Sequence, residues 1–347
     1  MKALVYEGPG VKHLLERPVP GLQMGTDAIL RMATTTICGT DLHILKGDVP
    51  SCTPGRILGH EGTGVVEEVG AAVASFRPGD PVLISCISAC AHCPNCRRGM
   101  YSHCENGGWT LGNTIDGTQA EYVRIPHADT SLYPIPEGAP SDAWVLLSDV
   151  FPTSYECGIL NAKIKPGASV AIVGAGPIGL AALLTAQLYS PGPVFVLDKD
   201  TFRLQIAKTL GATGTVEVNG NSGAAAAHLF KLNGGQGVDA VIEAVGVPES
   251  FLLCEELVAP GGIIANIGVH GTKVDLHLEQ LWDRNIAITT RLVDTSTTPL
   301  LMRMVRNGRL NPMPLITHRF RFDEMPRAYD VFGQAAVSHA LKVLIQF

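Results

Sequence analysis

The chain has 347 residues, of which 46% are hydrophobic and 17% are charged, and its formal net charge at pH 7 is −6. This length is enough for two domains with separate cores, and this composition is that of a folded chain rather than a disordered one. The negative charge excludes the cationic surface that nucleic acid or an anionic membrane would attract.

The first part of the chain, residues 1–150, is predicted to be β-rich. Short β-branched runs, such as Gly64–Val69, are separated by turn signals, such as Arg77-Pro78-Gly79-Asp80. No long helical period occurs there. Five of the nine cysteines crowd into residues 86–105, which we expect to form a small lobe of this domain.

After residue 150 the pattern changes to alternating strands and helices. Ser169–Val173 is a wholly apolar run typical of a buried parallel strand, and the strand Val238–Glu243 is followed by the helical stretch Pro248–Leu257. This alternation predicts an α/β fold with a doubly wound parallel sheet of the Rossmann type over residues 151–294. Residues 295–347 return to β character, so we expect them to fold back onto the first domain.

A glycine-rich turn follows the first apolar strand of the α/β part. Gly174-Ala175-Gly176-Pro177-Ile178-Gly179 lies between that strand and a helix, which is the context in which such glycines bind a dinucleotide. The glycines let a pyrophosphate approach the N–H groups at the helix N-terminus. Asp198 ends the next strand, where a carboxylate accepts hydrogen bonds from ribose hydroxyls and repels a 2′-phosphate. We therefore predict a preference for NAD over NADP, which the nearby cations Lys199 and Arg203 weaken. The alternative is a glycine turn with an N-capping aspartate and no nucleotide.

A tight group of four cysteines predicts a structural metal site. Cys90, Cys93, Cys96 and Cys104 can close a tetrahedral shell around zinc from one loop, and they leave no open position for a substrate. The alternative is a set of buried or disulfide-bonded cysteines.

A second group of possible metal ligands is spread over two segments of the chain, and each of these residues also has an ordinary structural explanation. Cys38-Gly39-Thr40-Asp41-Leu42-His43 and Gly59-His60-Glu61 together offer a thiolate, an imidazole and several oxygens. A catalytic zinc takes three protein ligands and leaves the fourth position open. From spacing alone, Cys38 and His60 are as compatible with a core cysteine and a hydrogen-bonded histidine as with a metal site.

The combined motifs resemble those of the zinc-dependent alcohol dehydrogenases of the medium-chain dehydrogenase/reductase superfamily, and bacterial secondary alcohol dehydrogenases among them. Gly59-His60-Glu61-x-x-Gly64-x5-Gly70 is similar to the family's zinc signature, and the cysteine lobe and nucleotide glycines follow in the family's order. The resemblance covers essentially the whole chain. It implies a GroES-like catalytic domain followed by a Rossmann domain, and hydride transfer between a primary or secondary alcohol, or the matching carbonyl compound, and NAD.

For the catalytic zinc, the resemblance implies Cys38, His60 and Asp149 as protein ligands. In the liver-type enzymes a cysteine occupies the third position, whereas here the segment Leu147–Thr153 offers Asp149, as in the bacterial secondary alcohol dehydrogenases. Many of those enzymes lack the complete four-cysteine lobe that this chain has. Polyol dehydrogenases, which carry a glutamate beside the zinc histidine as Glu61 does here, are the alternative within the superfamily. A zinc- and nucleotide-binding structural protein is the non-enzymatic alternative.

The same resemblance implies roles for further residues. Asp41 is expected to orient the His60 ring, and Glu61 to lie behind the metal and ligate it transiently. Thr40 is expected to contact the substrate oxygen, and His43 to form the outer end of a proton relay. The nicotinamide is expected to meet Thr153, Gly268, Val269 and Leu292.

The sequence therefore predicts two zinc ions per chain, one catalytic and one structural, with NAD(H) as cofactor and a small alcohol or carbonyl compound as substrate. No nucleic acid or membrane partner is expected. The resemblance implies a homo-oligomer, either a dimer or a tetramer. Because neither a secretory signal nor an apolar run of about 18 residues is visible, we expect a cytoplasmic location.

Overall fold

The computed structural model describes residues 1–136 and 141–347, which divide into two compact units. Unit 1 comprises Met1–Asp149 and Asp294–Phe347, and unit 2 comprises Val150–Val293. None of the helices in the described ranges has the length and apolarity needed to span a lipid bilayer.

The strands of the described residues are β1 (Lys2–Gly8), β2 (Val11–Glu16), β3 (Ala28–Ile37), β4 (Arg56–Ile57), β5 (Gly62–Val69), β6 (Pro81–Ile84), β7 (Tyr122–Ile125), β8 (Leu132–Pro134), β9 (Val170–Val173), β10 (Val194–Asp198), β11 (Gly214–Glu217), β12 (Val238–Glu243), β13 (Val258–Asn266), β14 (Ala287–Thr290), β15 (Ile316–Arg321) and β16 (Lys342–Gln346).

The α-helices are α1 (Gly39–Lys46), α2 (Pro94–Arg97), α3 (Ala128–Ser131), α4 (Ser141–Val145), α5 (Val150–Thr153), α6 (Pro177–Ala186), α7 (Thr201–Thr209), α8 (Ser222–Leu232), α9 (Pro248–Leu257), α10 (Leu278–Leu281), α11 (Thr298–Arg306), α12 (Met325–Gly333) and α13 (Ala335–Ser338). A π-helical segment, Ser154–Leu160, follows α5, and 3₁₀ turns lie at Tyr101–His103, Gln187–Tyr189, Met313–Leu315 and Phe322–Glu324.

Unit 1 contains a seven-stranded sheet with the order β15-β16-β3-β5-β6-β8, in which β7 also pairs with β3, and a three-stranded sheet with the order β2-β1-β4. The long strand β3 is central because it pairs with β16, β5 and β7. Its residues Ala28, Leu30 and Met32 alternate along the strand and are buried in one apolar core with Val66 and Val82. The antiparallel pairing of β16 with β3 joins the C-terminal segment to the sheet of the N-terminal segment.

Unit 2 contains a parallel six-stranded sheet with the order β11-β10-β9-β12-β13-β14. All four residues of β9 are buried, as expected for a strand that is covered on both faces. The strand order reverses between β9 and β12, so the carboxyl ends of these two strands border the crevice where doubly wound sheets bind ligands. The α/β fold with a doubly wound parallel sheet, predicted from the sequence, is confirmed.

Helix α1 lies in the part of the chain whose sequence shows no long helical period. It has eight residues, which give only about two turns of pattern, too few for a periodicity to stand out. This short helix matters because it carries two of the predicted catalytic residues.

Candidate active site and metal centres

Cys38, His60 and Asp149 are far apart in the sequence and converge within unit 1. Cys38 lies between β3 and α1, and His60 follows the short strand β4. The residue before His60 has to be a glycine, because Gly59 has a φ of +93° and a Cβ there would lie 2.6 Å from the Gln119 side chain. This backbone conformation fixes where the His60 ring enters the site.

The ligand atoms of these three residues and of Glu61 all lie within 4.8 Å of one another. Asp149 Oδ2 is 3.5 Å from His60 Nε2 and 3.8 Å from Cys38 Sγ. Separations of about 3.3–3.8 Å are the edges of a tetrahedron whose zinc–ligand bonds measure about 2.0–2.3 Å. One thiol, one imidazole and a carboxylate are also a donor set that zinc takes in proteins.

The electrostatics of this group fit a cation. Burial lowers the pKa of His60, but the neighbouring Asp149 carboxylate and Cys38 thiol reverse that effect and raise the pKa well above its usual range. Burial is the main reason why the pKa of Asp41 is raised. A divalent ion would neutralise this excess of acidic groups and leave His60 neutral, as a ligand must be. The residues therefore fit a zinc ion.

Asp41 faces the His60 ring without a hydrogen bond to it. Its Oδ1 is 4.0 Å from His60 Nδ1, and this oxygen has no hydrogen-bond partner among the described residues. Its Oδ2 accepts the Cys38 backbone N–H at 2.9 Å and Gln119 Nε2 at 3.2 Å. Asp41 therefore fixes the backbone of the cysteine as well as facing the histidine.

Glu61 is held by two residues that the sequence analysis does not identify. Its Oε1 accepts Lys342 Nζ at 2.5 Å, and its Oε2 accepts Thr36 Oγ1 at 2.7 Å. The Glu61 and Lys342 side chains are only 1% and 2% exposed. Burial lowers the pKa of Lys342, but the Glu61 carboxylate opposite it reverses this effect and raises the pKa. The sequence gives one indication of this pair, because Lys342 lies inside the otherwise apolar run Leu341–Ile345, where a buried charge requires a partner.

Cys86 and Trp109 border the same group. Cys86 Sγ is 3.5 Å from Asp149 Oδ1, the oxygen on the other side of the carboxylate from the contact with His60. The Trp109 ring lies edge-to-face on His60, with 6.3 Å between the ring centroids. Although Cys86 is close in sequence to the cysteine lobe, its side chain therefore contacts the predicted third ligand.

Thr40 and His43 lie on α1 three positions apart, and therefore on one face of the helix. Thr40 Oγ1 is 3.7 Å from Cys38 Sγ. The His43 side chain is 33% exposed, and its Nδ1 is 2.9 Å from Asp48 Oδ2. The helix thus places a hydroxyl beside the thiol and an imidazole at the surface.

The four cysteines of the lobe come together as the sequence predicts. The sulfur atoms of Cys90, Cys93, Cys96 and Cys104 lie within 4.8 Å of one another, and all four cysteines are free of disulfide bonds. The Cys90 N–H donates to Cys104 Sγ at 3.2 Å, and the Cys96 N–H donates to Cys93 Sγ at 3.4 Å. Burial raises the pKa of Cys90, but nearby N–H donors, first among them that of His92, outweigh this effect and lower the pKa to about 5. Such donors stabilise the thiolate form that binds zinc, so these residues fit a structural zinc ion.

The glycine-rich turn of unit 2 joins β9 to α6. Gly174 has a φ of +106°, and a Cβ on Gly179 would lie 1.8 Å from Gly174 O. A Cβ on Gly176 would instead meet only Arg203 Nη1, at 3.8 Å, so the backbone is open at that point. Among the described residues no side chain caps the N-terminus of α6. The turn and the free N–H groups therefore fit the pyrophosphate of a dinucleotide.

Asp198 is fixed against this turn. Its Oδ2 accepts the Ala175 N–H at 2.5 Å, and its Oδ1 accepts the Asp200 N–H at 2.8 Å. Arg203 Nε lies 3.5 Å from Asp200 Oδ2, and Lys199 is exposed. The Asp198 carboxylate, predicted to bind ribose, thus lies beside the glycine turn. The Arg203 guanidinium is paired with a different carboxylate, that of Asp200.

The four residues expected to meet the nicotinamide all lie in unit 2. Thr153 ends α5, Gly268 and Val269 follow β13, and Leu292 follows β14. Val269 and Leu292 are 64% and 45% exposed. Their contacts with a cofactor stay predictions.

Comparisons with known proteins agree with the chemistry of these sites. The alcohol dehydrogenase GroES-like domain family matches residues 25–137, and the zinc-binding dehydrogenase family matches residues 177–307. An alcohol dehydrogenase of Cupriavidus necator is 34% identical over 96% of this chain and 95% of its own length. An NADP-dependent isopropanol dehydrogenase of Thermoanaerobacter brockii is 32% identical, with 90% of each chain covered. The apo structure of zinc dependent alcohol dehydrogenase 2 from Streptococcus pneumonia is 49% identical, has a TM-score of 0.95, and is matched over 100% of this chain and 98% of that one.

We expect Cys38→Ser and Cys93→Ser to remove different zinc ions. Cys38→Ser should abolish turnover with a small change in melting temperature, because its ion serves the reaction. Cys93→Ser should lower the melting temperature markedly, because the lobe depends on its ion for folding. Metal content measured by mass spectrometry and melting followed by calorimetry check both expectations. Cys157→Ser, a change at a buried thiol of unit 2, is the control and should keep both ions; a Cys93→Ser protein that keeps both ions would contradict the structural site.

Proposed function

The chain belongs to the zinc-dependent alcohol dehydrogenases of the medium-chain dehydrogenase/reductase superfamily, and we propose that it transfers a hydride between a primary or secondary alcohol, or the matching aldehyde or ketone, and NAD. Alcohol and carbonyl oxidoreductase activity, zinc and a nicotinamide cofactor follow from the family. The observation that carries the proposal is the convergence of Cys38, His60 and Asp149 at tetrahedral separations.

The three ligands leave one position open for a substrate oxygen. A zinc ion held by these three residues would supply a Lewis acid that lowers the pKa of a bound alcohol. The Thr40 hydroxyl, beside the Cys38 thiol, would accept the proton that the alcohol releases and at the same time donate its own proton onward. A proton passed on through the cofactor ribose hydroxyl would reach His43, which is on the same face of α1 and partly exposed and would carry it to solvent, and Asp48 orients the His43 ring. A bound nicotinamide would supply the hydride acceptor, whose chemistry belongs to the cofactor.

Glu61 is proposed to ligate the metal only transiently. Its carboxylate is paired with Lys342 and hydrogen-bonded to Thr36, which hold it beside the ligand set with Oε1 3.9 Å from His60 Nε2. A carboxylate so held would be available as a further ligand to a metal ion bound at this site. The same glutamate beside the histidine supports the polyol dehydrogenase alternative.

The reaction is tested by following NADH absorbance with a panel of primary alcohols, secondary alcohols and sorbitol, with zinc counted per chain. We expect simple alcohols to be oxidised with a higher kcat/KM than sorbitol. The reverse order would favour the polyol alternative. Two bound zinc ions with no NADH formed from any substrate would contradict the proposed reaction.

NAD is proposed in preference to NADP because of Asp198. The N–H groups of Ala175 and Asp200 fix its carboxylate at the carboxyl end of β10. In doubly wound folds this position faces the adenosine ribose, and a negative charge there repels a 2′-phosphate. Arg203, whose Nη1 would lie 3.8 Å from a Cβ on Gly176, is paired with Asp200, which reduces its attraction for a further phosphate.

We expect Asp198→Asn to shift the cofactor preference toward NADP. Because the variant loses the charge that repels a 2′-phosphate, the ratio of kcat/KM for NADP to that for NAD should rise about tenfold, equivalent to ~1.4 kcal/mol. Steady-state kinetics with both cofactors measure the ratio. Asp239→Asn, a change at β12 where the carboxylate binds Ser169, is the control; an Asp198→Asn ratio equal to that of the control would count against this role.

We further propose that the chain forms a homo-oligomer, a dimer or a tetramer, through the sheet edge of unit 2. Strand β14 is the edge strand of the parallel sheet. Ile288 in this strand is 36% exposed, and Leu278 and Trp282, shortly before it, are 58% and 78% exposed. An edge strand with exposed apolar side chains is a surface that another chain commonly covers.

We expect the double substitution Trp282→Ser with Ile288→Lys to reduce the molar mass in solution toward that of one chain, because a charge at the strand edge disfavours pairing. Size-exclusion chromatography with light scattering measures the mass. Val337→Ser changes an apolar side chain of unit 1 that is 79% exposed and should leave the mass unchanged. A double variant with the mass of the wild type would exclude this edge as the interface.

A further inference from the structure

Unit 2 contains a buried polar cluster that neither zinc site nor the glycine turn uses. Glu243 ends β12 and is completely buried, Asn266 ends β13, and the side chain of His270, shortly after it, is 18% exposed. A buried carboxylate is costly unless it has partners. The Glu243 carboxylate contacts two loops, the one that follows β12 and the one that follows β13.

Glu243 fixes the loop that follows β12. Its Oε1 accepts the N–H groups of Val245 at 3.0 Å and Gly246 at 2.9 Å, and the Ser250 hydroxyl at 2.6 Å. Its Oε2 is buried, has no hydrogen-bond partner among the described residues, and lies 3.6 Å from His270 Nε2. One carboxylate oxygen thus holds its own loop, and the other faces the next loop.

Asn266 and His270 fix the loop that follows β13. Asn266 Nδ2 donates to Gly268 O at 3.0 Å, so its Oδ1 is the acceptor, and His270 Nε2, at 2.8 Å, has to be the donor. The backbone oxygen of Glu243 accepts the Ile267 N–H at 2.8 Å. The second loop is therefore tied both to itself and to the end of β12.

Two glycines let the loops touch. A Cβ on Gly246 would lie 2.4 Å from Val269 O, and a Cβ on Gly268 would lie 2.4 Å from Gly246 N. Both contacts are closer than a side chain permits, so the loops meet backbone to backbone. We refer to residues 244–247 and 267–271 as the paired loops.

The paired loops border the switch point of the sheet. They follow β12 and β13. On the other side of the reversal, the glycine turn follows β9 and Asp198 ends β10. The loops also reach the turn, since a Cβ on Gly174 would lie 2.9 Å from Ala244 O. A dinucleotide bound across such a crevice has one half over each pair of strands.

We propose that Glu243 and His270 are positioning residues, which hold the paired loops under the nicotinamide half of the cofactor while the glycine turn and Asp198 hold the adenosine half. This inference rests on the proposed function, since it takes NAD(H) as the cofactor. According to this inference, the two side chains affect the affinity for the nicotinamide half of the cofactor and not the affinity for the adenosine half.

The test compares NADH with ADP-ribose, which lacks the nicotinamide. His270→Phe removes the Nε2 donor but keeps an aromatic ring against Phe251, whose centroid lies 6.1 Å from that of His270. We expect this variant to bind NADH about tenfold more weakly and ADP-ribose within about twofold of the wild type. His270→Gln restores an N–H donor and should recover part of the loss. Titration calorimetry on the zinc-loaded protein measures both dissociation constants.

Glu243→Gln and a matched control complete the set. Glu243→Gln keeps an acceptor for the loop N–H groups but removes the charge that faces His270, and should weaken NADH selectively as well. His277→Phe breaks a different histidine–carboxylate contact of unit 2, in which His277 Nδ1 lies 2.7 Å from Glu255 Oε2. This control should leave both dissociation constants unchanged.

Equal weakening of NADH and ADP-ribose by His270→Phe, or no change in either, overturns the positioning role; the first result would indicate a merely structural cluster. If Glu243→Gln does not fold, the two His270 variants decide the question. Failure of the proposed function has a different signature, because the wild type would then bind NADPH instead of NADH. In that case NADPH and 2′-phospho-ADP-ribose replace the two ligands in the same comparison.

Discussion

The buried ion pair between Lys342 and Glu61 is the contact on which the organisation of unit 1 depends. Two full charges that are 2% and 1% exposed are tolerated only because each has the other as a partner, and removal of either would leave an uncompensated buried charge. The lysine is supplied by β16, the C-terminal strand, which reaches Glu61 because it pairs with β3. Strand β3 also leads directly into Cys38. This strand pairing therefore joins the C-terminal strand to the sheet and places a cation beside the acidic side chains that are proposed to ligate a metal.

The two proposed metal centres differ in how the chain builds them. The four cysteines of the lobe come from one loop, and backbone N–H groups of the same loop donate to their sulfurs, so the site can form locally once the ion is present. Cys38, His60 and Asp149 come from three distant segments, and their separations depend on the folded sheet. This difference suits their proposed roles, because a structural ion stabilises its own loop whereas a catalytic ion needs ligands held rigidly around an open position.

On each side of the switch point of unit 2, a carboxylate at the end of a strand fixes the neighbouring loops. Asp198 ends β10 and accepts backbone N–H groups from the glycine turn and from its own loop, and Glu243 ends β12 and accepts the N–H groups of Val245 and Gly246. In each case a carboxylate at the end of a parallel strand fixes the loops that border the crevice. The difference lies in exposure. Asp198 is partly accessible, as its proposed role as a ribose ligand requires, whereas Glu243 is completely buried and is proposed to act through the loops that it holds.

The features of this protein that can be predicted from the sequence are local ones. The sequence predicted the doubly wound sheet, the bounds of β12 and α9, the glycine turn and the grouping of the four cysteines, because strand and helix periodicity, turn geometry and one-loop metal spacing are all written within a few consecutive residues. Tertiary structure alone decided that Lys342 pairs with Glu61, that Cys86 contacts Asp149, and that Glu243 faces His270. These partners lie in segments whose separation along the chain carries no signal, and only the pairing of distant strands brings them within reach of one another. The short helix α1 was missed for a related reason, since two turns give too little pattern to distinguish a helix from the loops around it.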